Sequence, residues 1–195
     1  MNGSDLLAAL TPVLDVLTRL GVRHFVGGSV ASSAHGIARA SLDVDVVAEL
    51  DALHVGRLVA ALQDAYFVDE TRVHAAVESK RSFNLIHLAT MFSVDVFVAK
   101  ARAFDRSQLA RRQLLLLSEE PERYAYVASA EDTILAKLEW YRLGGGVADR
   151  QWRDVLGVIM VQGERLDLVY LRTMAAQLAV SDLLEQALQA AGTQR

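Results

Sequence analysis

The segment 42–50 constrains the fold of this chain most, because its apolar and acidic residues alternate and this alternation predicts a β-strand with two different faces. Leu42 and two valines fall on one face, and Asp43 and Asp45 fall on the other. From the rise of a strand, we expect the Cβ atoms of the two aspartates to lie about 6–7 Å apart. The strand therefore needs an apolar core on one side and a counter-charge on the other.

A counter-charge is needed because neighbouring carboxylates in a half-buried strand repel each other. A divalent ion is the simplest solution, since Mg²⁺ prefers oxygen ligands and keeps waters and substrate phosphates in its shell. Asp95 repeats the pattern between two valines, on a second alternating strand at 92–99. If the two strands are neighbours, three carboxylates converge. Such a set can hold two metal ions that bridge a triphosphate and an attacking hydroxyl.

A second motif, Gly27-Gly28-Ser29, follows a short apolar run at 24–26 and precedes an Ala- and Ser-rich segment at 29–37 that is predicted to be helical. Two glycines at this junction allow backbone N–H groups to approach an anion closely, and the N-terminus of a helix favours negative charge. The Ser29 hydroxyl can donate to a phosphate oxygen. The motif thus predicts a phosphate site, although two glycines alone are also typical of a simple tight turn.

The surrounding sequence predicts a mixed α/β first half. The strands at 83–90 and 92–99 follow each other so closely that we expect them to pair antiparallel. A helix at 52–65 is predicted to bury Leu53, Leu58, Val59 and Leu62. The other elements expected in this half are helices at 4–20, 71–81 and 105–113 and strands at 24–26 and 124–128.

From Ser129 onwards the pattern is that of helices alone, and Ser129-Ala130-Glu131-Asp132 is similar to a capping box. We expect helices that end near 143, 163, 179 and 191. The sequence therefore predicts two domains, an α/β domain at 1–128 and a helical subdomain at 129–195. The fold class is α/β (α+β), with a mixed, largely antiparallel sheet flanked by helices and followed by a C-terminal helical bundle.

Composition narrows the possible functions. The chain of 195 residues has no cysteine, which excludes disulfides, thiolate zinc sites and cysteine nucleophiles. Its formal net charge is −4, so it is not a general binder of polyanions, although a local basic patch remains open. We see no signal peptide and expect no transmembrane helix, because charges interrupt every long apolar run. We expect a cytoplasmic protein.

Taken in order, these motifs resemble those of the DNA polymerase β-like nucleotidyltransferase superfamily. The family pattern is a strand, a Gly-Gly/Ser turn, and then Asp-x-Asp on the next strand. Here Ser29 precedes Asp43 by an interval similar to that of the family, and a small hydroxyl residue, Ser41, stands before the Asp43-x-Asp45 pair. Asp95 matches the third carboxylate of the family. The resemblance implies a nucleotidyltransferase fold for about residues 20–160.

A second block extends the resemblance. Glu131–Leu138, followed by Arg150–Asp154, is similar to a Lys…Arg-x-x-Arg-Asp block of the abortive-infection type nucleotidyltransferase toxins and their relatives. In those proteins the lysine contacts the nucleotide phosphates and the aspartate completes the site. The resemblance therefore implies that Lys137 and Asp154 bind nucleotide. Judged alone, Lys137 is typical of a solvated helix residue, and Asp154 of a surface ion pair with Arg150.

The reaction implied by the resemblance is transfer of a nucleoside monophosphate from an NTP donor to a hydroxyl or phosphate acceptor, with release of pyrophosphate. Asp43 and Asp45 would hold Mg²⁺ or Mn²⁺, and Asp95 would hold the second ion and help to deprotonate the acceptor. Gly27, Gly28 and Ser29 would bind the nucleotide. The acceptor stays open: RNA such as tRNA, a protein or a small molecule.

Two alternatives also stay open. One is a non-catalytic member of the fold that acts with an operon partner, as in a toxin–antitoxin pair. The other is an antibiotic adenylyltransferase, which would be supported by an acidic cleft for a cationic drug; neither half of the sequence shows one clearly. His35, in the segment after Gly28, is interpreted as a packed or surface residue rather than a cleft residue. Arg111 and Arg112 could form a small basic patch for an RNA acceptor, although a solvated helix face is the default.

Overall fold

The computed structural model describes residues 3–41, 43–120, 122–147 and 149–193, and its backbone divides into two compact units. The first unit comprises the chain up to Gly27 together with Ala40–Val127. The second comprises Gly28–Arg39 together with the chain from Ala128. The short segment after the glycine motif thus groups with the C-terminal helices. The sequence pattern did not predict this grouping. The division into domains at 1–128 and 129–195 stays a prediction.

All strands of the described residues lie in the first unit and form one seven-stranded sheet. They are β1 (His24–Val26), β2 (Asp43–Ala48), β3 (Tyr66–Phe67), β4 (Ser82–His87), β5 (Ser93–Val98), β6 (Gln113–Glu119) and β7 (Glu122–Val127). Their order is β3-β4-β5-β2-β1-β7-β6. The pairs β2–β5 and β1–β7 are parallel, and the other four pairs are antiparallel. The prediction of a mixed, largely antiparallel sheet is confirmed.

The helices follow the predicted order with small shifts at their ends. They are α1 (Gly3–Arg19), α2 (Gly28–His35), α3 (Ala52–Leu62), α4 (Glu70–Ser79), α5 (Ala103–Arg111), α6 (Ala130–Leu143), α7 (Asp149–Gln162), α8 (Leu168–Gln177) and α9 (Ser181–Thr193). A 3₁₀ turn at Gly163–Arg165 separates α7 from α8. Ser129 caps α6 as predicted, because its hydroxyl accepts the backbone N–H of Asp132 at 3.1 Å. None of the described helices combines the length and the apolar character that a membrane span requires.

The core of the first unit lies on one face of the sheet. Val44 and Val46 of β2 and Val94 and Val96 of β5 are fully or almost fully buried, whereas the residues between them are at most half-buried. Helix α1 contacts both strands and covers this apolar face. The hydroxyl of Tyr66 donates to the carbonyl of Ala9 in α1 at 2.6 Å, and burial raises the pKa of Tyr66 to about 12. The opposite face of β2 and β5 carries Asp43, Asp45 and Asp95.

Two details of the predicted elements are wrong. Leu53 is 85% exposed, because the buried stripe of α3 runs through Val55, Leu58, Val59 and Leu62 and Leu53 lies off that stripe. The segment after α5, which was expected to stay helical to residue 113, turns into strand β6 instead. The predicted apolar position of Leu42 lies outside the described residues.

The second unit is an assembly of helices in which α2 packs against α6 and α7. The end of α2 approaches α7 backbone to backbone. A Cβ atom added to Gly36 would lie 2.8 Å from the backbone nitrogen of Val158, a distance that no side chain tolerates. On the facing helix, a Cβ at Gly157 would lie 3.5 Å from Ile37. Glycine at position 36 is therefore required by this contact.

Candidate functional site

The three predicted carboxylates lie on neighbouring strands of the first unit. β2 and β5 pair in parallel, and the register sets Asp45 opposite Asp95 and Asp43 opposite Ser93. Neighbouring strands lie about 4.8 Å apart, so the aspartates share one small area of the sheet. Asp43 is exposed, and Asp45 and Asp95 are half-buried. The condition on which the sequence prediction depended, that the two strands are neighbours, is met.

The side chains of these aspartates are held locally by hydroxyl groups. The Ser41 hydroxyl donates to Oδ1 of Asp43 at 2.8 Å, and the Ser93 hydroxyl donates to Oδ1 of Asp95 at 2.9 Å. Within the described part of the chain, no lysine or arginine pairs with Asp43 or Asp95. Nor do the described residues contain a set of three or more His, Cys, Asp or Glu side chains arranged to hold a metal ion. The backbone gathers the acidic residues, but their oxygens do not share one coordination sphere.

The glycine motif follows β1 directly. The backbone N–H of Gly27 donates to the carbonyl of Asp45 at 2.9 Å, which extends the β1–β2 pairing by one residue. Gly28 then begins α2 with φ 52°, a conformation that favours glycine. Ser29 is two residues from Gly27, so their Cα atoms are at most about 7 Å apart by chain length alone. The step from Gly27 to Gly28 is the covalent junction between β1 of the first unit and α2 of the second.

Ser29 has an unusual environment. Its side chain is buried, and among the described residues its hydroxyl oxygen has no hydrogen-bond partner. Buried hydroxyls are nearly always bonded, because leaving one unsatisfied costs about 1–3 kcal/mol. Ser29 also stands in the first turn of α2, where backbone N–H groups have no partner within the helix. An anion at this point would satisfy both the hydroxyl and the helix end.

Lys137 and Asp154 meet inside the second unit. Both are largely buried, and Nζ of Lys137 lies 2.7 Å from Oδ2 of Asp154 and 3.1 Å from the amide oxygen of Gln151. The guanidinium of Arg39 donates two hydrogen bonds of 2.8 Å to the same carboxylate, one to each oxygen. Burial by itself would raise the pKa of Asp154, but the hydrogen bonds and charges of Arg39 and Lys137 outweigh it and lower that pKa. Together the three side chains form an ionic triad in which two cations share one carboxylate, with Lys137 and Asp154 buried and Arg39 partly exposed.

The triad contradicts two interpretations of the sequence, one of Asp154 and one of Lys137. The surface ion pair between Arg150 and Asp154 is wrong, because Arg150 is exposed and Asp154 is buried against Arg39 and Lys137. Lys137 is likewise not a solvated helix residue. The prediction that Lys137 and Asp154 bind nucleotide stays a prediction. Arg39 was not identified as a partner, and nothing local marks it, since 115 residues separate it from Asp154.

Other buried polar groups of the second unit are structural. Asp132 is fully buried and accepts hydrogen bonds from the hydroxyls of Ser129 at 3.0 Å and Tyr170 at 2.5 Å. His35 is buried as well, and its Nε2 donates to the carbonyl of Ala128 at 2.7 Å. The interpretation of His35 as a packed residue is confirmed. These bonds tie α6 to α8 and α2 to the start of the helical segment.

Comparison with known proteins shows likeness at the level of structure. The chain is similar to an antigenic nucleotidyltransferase-like protein from Paracoccidioides brasiliensis, with a TM-score of 0.58 and 16% identity over 96% of this chain and 93% of the other. It is similar to the antibiotic-resistance factor ANT(2'')-Ia, with a TM-score of 0.58 and 11% identity over 95% of this chain and 99% of the other.

A third similar structure is the lincomycin-bound lincosamide antibiotic adenylyltransferase LnuA, with a TM-score of 0.51 and 14% identity over 81% of this chain and 96% of the other. No protein-family model and no curated protein matches the sequence. The chain has a nucleotidyltransferase-like α/β fold, and the fold implied by the sequence motifs is confirmed.

Proposed function

We propose that this protein is a metal-dependent nucleotidyltransferase that transfers a nucleoside monophosphate from an NTP to an acceptor and releases pyrophosphate. The buried, unbonded hydroxyl of Ser29 at the start of α2 is the observation that carries the proposal. A phosphate oxygen of the donor supplies the missing partner, and the N–H groups of the first turn of α2 hold the same anion. The nucleotidyltransferase-like fold supports this assignment.

Asp43, Asp45 and Asp95 would hold the metal ions. Three carboxylates on two neighbouring strands are a donor set that suits Mg²⁺ or Mn²⁺, and two of them have no cation from the described protein. Their oxygens would have to turn from the serine hydroxyls toward the ion. When bound, the metal neutralises the triphosphate and lowers the pKa of an oxygen nucleophile.

The remaining chemistry belongs to side chains of the protein. The Asp95 carboxylate accepts the proton of the acceptor hydroxyl, and the oxygen of that hydroxyl forms a bond to the α-phosphorus of the NTP. The bond between the α-phosphorus and the pyrophosphate oxygen breaks, and pyrophosphate leaves with the electron pair. Positioning and charge neutralisation supply most of the rate enhancement in such a reaction. By the resemblance of the Lys137 block to nucleotidyltransferase toxins, Lys137 would also contact the bound nucleotide.

Calorimetry with NTP and Mg²⁺, combined with transfer of label from an α-labelled NTP, tests the proposal. Ser29→Ala should weaken NTP binding about tenfold, because a hydrogen bond to a charged group contributes roughly 1.5 kcal/mol. It should raise the free energy of unfolding by up to about 1–3 kcal/mol, because the buried hydroxyl that it removes has no partner in the described structure. Ser118→Ala, a half-buried serine on the edge strand β6, is the matched control and should bind NTP normally.

Two results would reject the proposal. One is the absence of both NTP–Mg²⁺ binding and label transfer to tRNA, proteins and small molecules. The other is equal NTP affinity for Ser29→Ala and the wild type, which would remove the phosphate role of α2.

One observation favours a second candidate, a non-catalytic partner in a toxin–antitoxin-like pair. The described side chains do not close around a metal ion. Copurification with the products of neighbouring genes discriminates the two functions. A stable complex whose cellular effect survives Asp43→Ala combined with Asp45→Ala would favour the non-catalytic partner, whereas loss of the effect would favour the enzyme.

A further inference from the structure

A cavity of about 350 Å³ lies in the first unit between α4 and one edge of β4. It exists because β3 is only two residues long and pairs with Ile86 and His87 alone. The part of β4 from Ser82 to Asn84 therefore has no strand beside it on that side, and α4 borders the gap. Polar and aromatic side chains that line the cavity include Phe67, Asp69, Arg72, Arg81, Ser82 and Asn84.

The backbone of β4 turns polar groups toward this cavity. In an antiparallel pair, alternate residues bond to the neighbouring strand and the others point away from it. Arg81 accepts the N–H of Val98 at 3.0 Å and His87 donates to Phe92 at 2.9 Å, so the odd-numbered residues of β4 face β5. The N–H and carbonyl groups of Ser82 and Asn84 consequently face the open edge. Hydrogen-bond donors from the main chain are thus available in the cavity.

The side chains of the cavity add positive charge. Arg81 is exposed, and its guanidinium makes no hydrogen bond or ion pair within the described ranges. Arg72 is paired only loosely, since 3.5 Å separates it from Asp69 and its side chain is 78% exposed. The Asn84 amide is also without a partner in the described structure. Among the residues that line the cavity, two arginines face one carboxylate, that of Asp69. This excess of positive charge favours an anionic ligand.

One residue of the cavity lining, Asn84, is a strand neighbour of the acidic face of the sheet. Asn84 and Asp95 are direct partners across β4 and β5. Because Phe83 and Leu85 occupy the hydrogen-bonded positions, this is a non-hydrogen-bonded pair, whose Cα atoms lie about 4.5 Å apart with side chains on the same face. Phe67, which is 61% exposed, offers a flat apolar surface on the other side of Asn84. The anionic group of a ligand would therefore lie at Arg72 and Arg81, and an uncharged part of the same ligand would extend along Asn84 toward Asp95.

We propose that this cavity binds a small organic anion, a carboxylate or a phosphate monoester with a ring that packs on Phe67. Its interpretation as the acceptor of nucleotidyl transfer rests on the proposed function. In that case the acceptor hydroxyl loses its proton to Asp95 as its oxygen bonds to the α-phosphorus, and pyrophosphate departs with the electron pair of the broken bond. An anionic acceptor also distinguishes this chain from an enzyme that modifies cationic drugs.

Residue-resolved NMR on the full chain, without nucleotide or metal, tests the proposal with phenyl phosphate as the probe and benzylamine as its cationic counterpart. Phenyl phosphate should shift the backbone resonances of Ser82 and Asn84 in a saturable way, and benzylamine should not. Arg72→Gln combined with Arg81→Gln should weaken phenyl phosphate binding at least tenfold. Arg57→Gln, an exposed arginine on α3 of the same unit, is the matched control and should bind normally.

Three outcomes would overturn the proposal: shifts confined to the start of α2, equal shifts with benzylamine, or full binding by the double arginine variant. The test is independent of catalysis, since Asp43→Asn combined with Asp45→Asn should still bind phenyl phosphate. Failure of the cavity therefore leaves the donor site untouched, and failure of nucleotide binding leaves the cavity untouched.

Discussion

Asp95 and Asp154 are the same residue type in two opposite settings. Asp154 is buried in the second unit and is neutralised by Arg39 and Lys137 at 2.7–2.8 Å. Asp95 lies half-buried on the sheet of the first unit and accepts a hydrogen bond from the Ser93 hydroxyl. The first carboxylate has its counter-charge built into the protein. The second has a hydroxyl partner and no cation partner among the described residues.

The contrast leads to different expectations for the loss of each carboxylate. An ionised group inside a protein requires pairing, because its desolvation is unfavourable by several kcal/mol. Asp154 meets this requirement within the fold, so its loss should affect stability first. Asp43 and Asp95 keep contact with solvent, so their loss should affect ligand binding first. If a substitution of Asp154 changed only ligand binding, or one of Asp43 or Asp95 changed only stability, this division between the carboxylates would be wrong.

The largest effect is expected for Asp43→Asn combined with Asp45→Asn. Transfer of label from an α-labelled NTP should fall by at least about 10³-fold, because the metal ions would lose two of three carboxylate ligands. The free energy of unfolding, measured in urea, should change by no more than about 0.5 kcal/mol per substitution. Asp15→Asn, at an exposed position of α1, serves as the control for both measurements. If the double variant unfolded, Asp43 and Asp45 would have a structural role like that of Asp154.

The next effect is expected for Asp154→Ala. It leaves Lys137 buried without its anion, and removing one partner of a buried pair destabilises a protein by about 3–5 kcal/mol. Asp95→Ala should lower the free energy of unfolding by less than about 1 kcal/mol. Lys137→Met combined with Asp154→Leu should recover part of the loss, because no buried charge is then left alone. Equal unfolding midpoints for Asp154→Ala and the wild type would refute the structural role.

A smaller effect is expected from acid. Because the folded-state pKa of Asp154 is lowered, the folded protein holds this carboxylate ionised more strongly than the unfolded chain does. The resulting stabilisation is complete above the unfolded pKa, about 3.9, and is lost as the pH falls through the folded pKa. The stability difference between the wild type and Asp154→Asn should therefore be constant from pH 7 to about 5 and shrink below 4. A difference that grows in acid would contradict this assignment.

The acidic face could be predicted from the sequence because its determinants are local. Two aspartates on one alternating strand fix their own relative position, and Asp95 between two valines indicates a second strand of the same kind. The start of α2 was similarly marked by its glycines. Only the pairing of β2 with β5 had to be assumed, and the structure supplies it.

The partners of Asp154 and Asp132 could not be predicted, because they come from distant parts of the chain. Arg39 precedes Asp154 by 115 positions, and Tyr170 follows Asp132 by 38. No periodicity links such residues. Strand β6 was missed for a different reason: four consecutive leucines show neither helical nor strand alternation. Its Leu114 and Leu116 are in fact substantially exposed.

The contact between Gly36 and the backbone of Val158 has a mechanical consequence. It locks the helix that carries Ser29 to the helix that carries Asp154, and Arg39 repeats the link a few residues later. The helix with Ser29 and the helix with Asp154, more than a hundred positions apart in the sequence, thus belong to one compact unit. A side chain at position 36 would force the end of α2 away from α7. This displacement is expected to shift Ser29, which lies on the same helix. Position 36 is therefore expected to be sensitive to substitution, although no role in ligand binding is proposed for it.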